Sequence, residues 1–187
     1  LYRYSQRGIG GRFKNTQNYI AEIKENGEQI VRFMPLDPFE TPMAIEAICE
    51  SFNCEMDSCE IDPLILIPAF IIDFLCIHPF NDGNGRMSRL LTTLLLYRAG
   101  YVVGKYVSLE SKIEKTKASY YETLEKSDMN WNSEENDITP FIKYMLGTIL
   151  AAYRDFEERV TLVEGKSSAI DLVRNAVNNT IGKFTKS

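Results

Sequence analysis

Residues 78–89 read HPFNDGNGRMSR, and they bring the chain's single histidine, an aspartate, two glycines and two arginines into one short stretch. Neutral imidazole can take a proton from a hydroxyl as that oxygen attacks phosphorus, which gives His78 a natural task as a base. Arg86 and Arg89 stand three residues apart, on neighbouring parts of one helix face. Guanidinium forks match phosphate oxygens, so a di- or triphosphate suits the space between them. Gly83 and Gly85 let the backbone take conformations other residues avoid and turn several N–H groups into one concavity. A helix starting at Gly85 adds its own unpaired N–H groups and positive dipole end. Asp82 would repel a naked phosphate, and its presence is better explained by Mg2+, which binds carboxylate and phosphate oxygens together.

Each residue also has a purely structural reading. His78 could be a helix-end histidine with a satisfied ring, and Asp82-Gly83 a plain turn signal. Asn84 could brace that turn with its side chain, and the two arginines could be a solvated face paired to acids. Five separate structural explanations within twelve residues are less economical than one phosphate site with a base beside it.

The elements around this stretch must place it. Asp62-Pro63 is a helix start, and the helix should run to about Ile77, apolar on nearly every face and bent at Pro68. Pro79 stops it. The helix from about Gly85 should end near Gly100 as C-cap. Earlier, "NYIAEI" and "QIVRF" alternate around the turn-prone "KENGE", which predicts a hairpin over about 15–33. A lone hairpin is marginal in water and must lean on the remaining body. "MPLDPFETP" should be an extended connector, with a helix over about 43–52. One amphipathic helix is expected from Ser108 through "SLESKIEKTKASYYETLEKS", another from a Thr139 cap with Pro140, and a last one over about 167–180. The expected fold class is all-α with a small β-hairpin, arranged as an N-terminal segment 1–42, a helical core 43–160 and a C-terminal helix 161–187.

A chain of 187 residues supports one substantial core. Its net charge of −5 argues against a long nonspecific grip on nucleic acid, yet permits a local cationic pocket. Cys49, Cys54, Cys59 and Cys76 have neither CxxC spacing nor disulfide-scaffold density, so Cys76 in its apolar run should be a buried free thiol and the setting cytoplasmic. The longest apolar run, from Ile65 to Ile77, is too short to span a bilayer. No signal-peptide segment is legible at "LYRYSQRGIGGRF", which reads as a fragment boundary.

The stretch resembles the signature HxFx(D/E)GNGRxxR of the Fic family, matching every fixed position, with a looser likeness over roughly residues 10–160. That resemblance implies a mainly helical fold with a β-hairpin flap over the active site. It implies a protein adenylyltransferase, with ATP as co-substrate and Mg2+ as cofactor. In that scheme His78 deprotonates a Ser, Thr or Tyr hydroxyl of a target protein, which attacks the α-phosphate and releases pyrophosphate. Asp82 holds Mg2+, Gly83, Asn84 and Gly85 form the anion hole, Asn84 orients the α-phosphate, and Arg86 and Arg89 hold the β- and γ-phosphates. Phe80 is the structural aromatic. Tyr120, Tyr121 and Trp131 are aromatic candidates for the adenine or ribose wall.

The flap would dock the target backbone. Many members carry an inhibitory (S/T)xxxE(G/N)N helix; none is legible here, so restraint is expected from an antitoxin partner or a segment outside these residues, or not at all. "NNTIGKFTKS" resembles the lead into a winged-helix region, the one route by which nucleic acid would enter. The alternatives are removal of AMP from a modified protein by a phosphodiesterase reaction, a different nucleotide donor, and a nucleotide-responsive peptide-binding module.

Overall fold

The computed structural model describes residues 11–23 and 27–180, with side chains described for 11–22 and 27–161. The first ten residues, residues 24–26 and the last seven residues lie outside it, together with the fragment-boundary and winged-helix readings placed there.

Alternation does produce the hairpin. Strands β1 (Ile20–Ile23) and β2 (Gln29–Phe33) pair antiparallel, Ala21 opposite Val31 and Glu22 opposite Ile30, with an irregularity between Ile20 and Ala21. Two strands bury too little to hold themselves, and the body supplies the anchor. Phe33 enters the core, and the Arg32 guanidinium grips both oxygens of Asp128 at 2.8 and 3.2 Å.

The helices follow as α1 (Thr41–Ser58), α2 (Pro63–Ile77), α3 (Asn84–Arg98), α4 (Leu109–Lys115), α5 (Lys117–Asp128) and α6 (Thr139–Thr180). Among the described residues the protein is thus mostly helical with one small sheet. Helix α2 is central and packs against α1, α3, α5 and α6. It starts as its sequence dictates: the Asp62 carboxylate accepts from Leu64 N at 2.8 Å, with Pro63 in the first turn. Its Ile67, Ile71, Ile72 and Cys76 are almost fully buried in one cluster with Leu96, Phe141, Met145 and Ala152. Cys76 is a free, buried thiol, and burial first, then the nearby acids, raise its pKa.

Three expectations change. Helix α1 is longer than 43–52, running from Thr41 to a left-handed C-cap at Cys59. The single helix from Ser108 is broken at Thr116, whose hydroxyl bonds both the Lys112 carbonyl (3.0 Å) and the Tyr144 hydroxyl (2.7 Å). Such back-bonding bends a helix, and the break lets Leu109 and Ile113 on one side and Tyr120 and Leu124 on the other all reach the core. The helix expected over 167–180 is the far end of α6, whose start is capped by Asp137 rather than Thr139, the carboxylate accepting from Thr139 N at 2.9 Å. No described helix is long and apolar enough to cross a membrane.

Because α2 carries most of the packing, Ile71→Ala should lower the unfolding free energy by about 2–5 kcal/mol. Phe39→Ala, at a side chain left 88% exposed, should change it by less than about 0.5 kcal/mol. Urea denaturation of the two variants checks the contrast.

Candidate active site

Helix α2 ends because His78 turns left-handed (φ 53°, ψ 59°), its N–H closing the last turn on Phe74 O at 3.0 Å and Pro79 preventing another. A non-glycine residue at positive φ is held only where its surroundings over-determine it. Gly83 then takes φ 87°, a conformation glycine adopts without a Cβ penalty, and α3 begins at Asn84. The turn between carries polar backbone groups against the core, and Asn84 satisfies two of them. Its side-chain oxygen accepts from Phe80 N (2.9 Å) and its amide donates to Phe80 O (2.7 Å), leaving Asn84 only 2% exposed. Phe80 itself packs on the core between Phe13 and Phe74.

The imidazole is oriented by its first nitrogen. Nδ1 lies 3.1 Å from Leu75 O, a contact that requires Nδ1–H and therefore leaves the lone pair on Nε2. Burial pulls the ring's pKa below the usual 6.5; the Leu75 bond opposes that, and the Lys14 charge adds to it. The net effect is an imidazole that is neutral at pH 7, the protonation state of a base.

His78 lines a cleft of about 1280 Å³ whose walls include Tyr19 and then Ile20 to Glu22 of β1, Gly85 and Arg89 of α3, and Tyr120 and Tyr121 of α5. The hairpin, the imidazole, one motif arginine and the start of α3 therefore meet in one space. Arg89 approaches Gly85 so closely that a Cβ there would sit 3.5 Å from Nη1. Its Nε donates to Glu110 at 3.2 Å, with Glu110 largely in solvent. Arg86 and Asp82 are not among the residues that line this cleft; they lie 3.4 Å apart, each about half exposed. Exposed pairs of this kind contribute only about 0–1 kcal/mol, little enough for a multiply charged anion or a cation to displace.

Mg2+ fits this donor set in one specific way. Among the described residues no three His, Cys, Asp or Glu side chains gather into a protein cage. Mg2+ instead commonly takes one or two carboxylates and completes its shell with phosphate oxygens and water, and Asp82 supplies one such carboxylate beside the arginines.

The aromatic expectations divide. Tyr121 stands at the cleft wall, 53% exposed, and can offer its ring to a ligand. Tyr120 reaches the same wall but is 4% exposed, ringed by Tyr121, Phe141 and Tyr144, and burial pushes its phenol up to about 12; it is chiefly a packing group. Trp131 is not in the cleft. Its indole N–H is fixed on Asp73 at 2.8 Å, and it lines a separate hollow of about 520 Å³ beyond the Arg32–Asp128 pair.

Sequence reading missed Lys14, Asn18 and Glu110. Lys14 is 3% exposed and bonds Ile77 O at 2.9 Å as well as Leu36 O; Asn18 bonds His78 O and Phe80 O at 3.2 and 3.1 Å. The one available signal was a lysine and an asparagine four residues apart in a hairpin approach, which names no partner by itself.

The fold is shared with other chains. The model of the Fic/DOC family matches residues 1–96, slightly more than half of the sequence, and this chain belongs to that family. It is 29% identical over 140 residues to protein adenylyltransferase fic-1 of Caenorhabditis elegans, covering 72% of this chain and 22% of that protein. With protein adenylyltransferase Fic of Aedes aegypti it shares 41% identity over 69 residues, 37% of this chain and 11% of the relative. A Fic domain containing signaling protein from Bacteroides thetaiotaomicron superposes with a TM-score of 0.61 at 27% identity, over 76% of this chain and 52% of that one. A Fic family protein from Desulfovibrio desulfuricans gives 0.61 at 30% identity, over 82% and 43%. The chain therefore spans a minor part of the curated relatives and about half of the solved structures.

Since Asn84 supplies both a donor and an acceptor to the turn, Asn84→Ala should cost about 1–3 kcal/mol of stability. A chemical denaturation curve within error of the parent would show that the brace contributes nothing.

Proposed function

We propose that this chain transfers AMP from ATP to a Ser, Thr or Tyr hydroxyl of a target protein, releasing pyrophosphate. The observation that carries the reading is the meeting, in one cleft, of a neutral imidazole with its lone pair on Nε2, an arginine, and the N-terminal end of α3 beneath a β-strand. The volume supports it: about 1280 Å³ exceeds the 300–1000 Å³ typical of sites for a single small molecule, leaving room for a nucleotide and an incoming side chain.

The target hydroxyl gives its proton to Nε2 of His78 as its oxygen forms a bond to the α-phosphorus. The bond from that phosphorus to the bridging oxygen breaks, and pyrophosphate leaves with the electron pair. Negative charge grows on the departing diphosphate, where Arg86 and Arg89 exchange their weak carboxylate partners for phosphate oxygens. Asp82 would hold a Mg2+ that neutralises the same charge. Backbone N–H groups at the start of α3 receive phosphate oxygens directly, so Asn84 contributes by shaping the turn that aims them. Tyr121 borders the base or ribose, and the flap lays target backbone along β1, whose residues wall the cleft.

Incubating the protein with Mg2+, α-labelled ATP and a cell extract should label the protein or a target, and intact mass should rise by one AMP. His78→Ala should abolish the label; label retained at the same sites would remove His78 from the base role, and an added mass other than AMP would change the donor. Because burial depresses the imidazole's pKa, the base form persists into mildly acidic solution. The transfer rate should therefore begin to fall only at a pH below that expected for an unburied imidazole, whose usual value is 6.5. A rate still climbing with pH well above that value would be inconsistent with this base.

A further inference from the structure

Four consecutive carbonyls carry the backbone out of α2 and through the turn, and two residues far away in sequence bind all four. Lys14 Nζ donates to Ile77 O at 2.9 Å and Lys14 N to Pro79 O at 2.8 Å. Asn18 Nδ2 donates to His78 O and Phe80 O, at 3.2 and 3.1 Å. The two side chains also brace each other, Lys14 Nζ donating to Asn18 Oδ1 at 3.1 Å, and the third ammonium proton goes to Leu36 O. All three donors of the ammonium group are thus used, although Lys14 is only 3% exposed.

An interior lysine is a costly way to fasten a loop, since an apolar side chain of similar size avoids desolvating a charge. This one has compensation, because the negative end of the α2 dipole and three oxygens surround it. It has a consequence too. The backbone being gripped is the left-handed one that carries the imidazole, and a displacement near 1 Å at a reacting group can cost about 100-fold in rate.

We propose that Lys14 and Asn18 are positioning residues for the transfer reaction: together they clamp the carbonyls of residues 77–80 and so fix the imidazole of His78 against the cleft. The proposal rests on the reading of His78 as the base. Charge adds a second effect. Burial lowers the Lys14 pKa to about 8, with Asp37 opposing, so the group is still mainly an ammonium at pH 7. Glu22 of β1, Arg32 of β2, Arg89 of α3, and Lys117, Glu122, Glu125 and Asp128 of α5 line the cleft with His78. The charge that acts on the ring is nonetheless that of Lys14, and it favours the neutral base.

The chain contains one histidine, so a single ring resonance reports its titration without assignment. NMR titration of the parent, Lys14→Met, Lys14→Arg and Asn18→Ala, alongside kcat and KM for label transfer from ATP with Mg2+, tests the clamp. In Lys14→Met the histidine midpoint should move upward, the acid limb of the rate should follow it, and kcat should fall by about 10- to 100-fold with KM for ATP nearly constant. Lys14→Arg, which keeps a cation, should restore the midpoint. Asn18→Ala should lower kcat while the midpoint stays near the parental value. A folded Lys14→Met protein with parental midpoint and kcat would overturn the proposal. Should Lys14→Met not fold, parental kcat in Asn18→Ala would overturn it equally. A parent that transfers no nucleotide would instead defeat the function reading, and the ring titration would still decide whether Lys14 acts on His78.

Discussion

The structure depends on how a polar turn is admitted to an apolar interior. Helix α2 is buried along most of its length, so its C-terminal carbonyls emerge where water cannot readily satisfy them. The fold answers with side chains: Asn84 closes the turn from within, and Lys14 and Asn18 hold it from outside. Once those carbonyls are bound, the chain can reverse within seven residues and begin α3 with Gly85 lining the same cleft as His78. The placement of the imidazole and the start of α3 beside it are therefore two products of one solution to a backbone hydrogen-bonding problem.

Local signals were legible in the sequence wherever the deciding interaction was local. Asp62-Pro63 begins α2, Pro79 follows its end, and the glycine at 83 takes positive φ. The alternation on either side of "KENGE" gave both strands. The motif residues were recognisable because their chemistry is compressed into twelve positions, and the turn-bracing reading of Asn84 and the acid-paired reading of Arg86 and Arg89 are what the structure shows. A side chain that braces a turn can be what makes that turn an anion site.

The unread parts are those decided across the chain. Nothing near Lys14 announces a partner 63 residues away, and nothing near Arg32 announces Asp128, 96 residues on. Trp131 was a candidate for the adenine or ribose wall as an aromatic, but one hydrogen bond to Asp73 on α2 turns it into a strut. Burial raises the pKa of Asp73 and the indole donor lowers it, so the bond serves the carboxylate as much as the ring. Periodicity likewise ran unbroken through Thr116, since the pattern records which residues want burial and not whether one straight axis can bury them all.

The acidic average of the chain and its cationic site are reconciled by where each charge stands. Arg32, whose task is to hold the flap, has a partly buried bidentate partner in Asp128, and breaking such a pair leaves an uncompensated charge. Arg86 and Arg89, read as the ligand-binding arginines, have more exposed partners, Asp82 at 3.4 Å and Glu110 at 3.2 Å. Solvent screening keeps those contacts weak while still offsetting repulsion between two guanidinium groups on one helix face. Lys14 is the limiting case, a charge given carbonyls and a helix dipole in place of a close carboxylate. A carboxylate there would have cancelled its influence on the imidazole, whereas neutral oxygens stabilise the ammonium and leave its field acting on the ring.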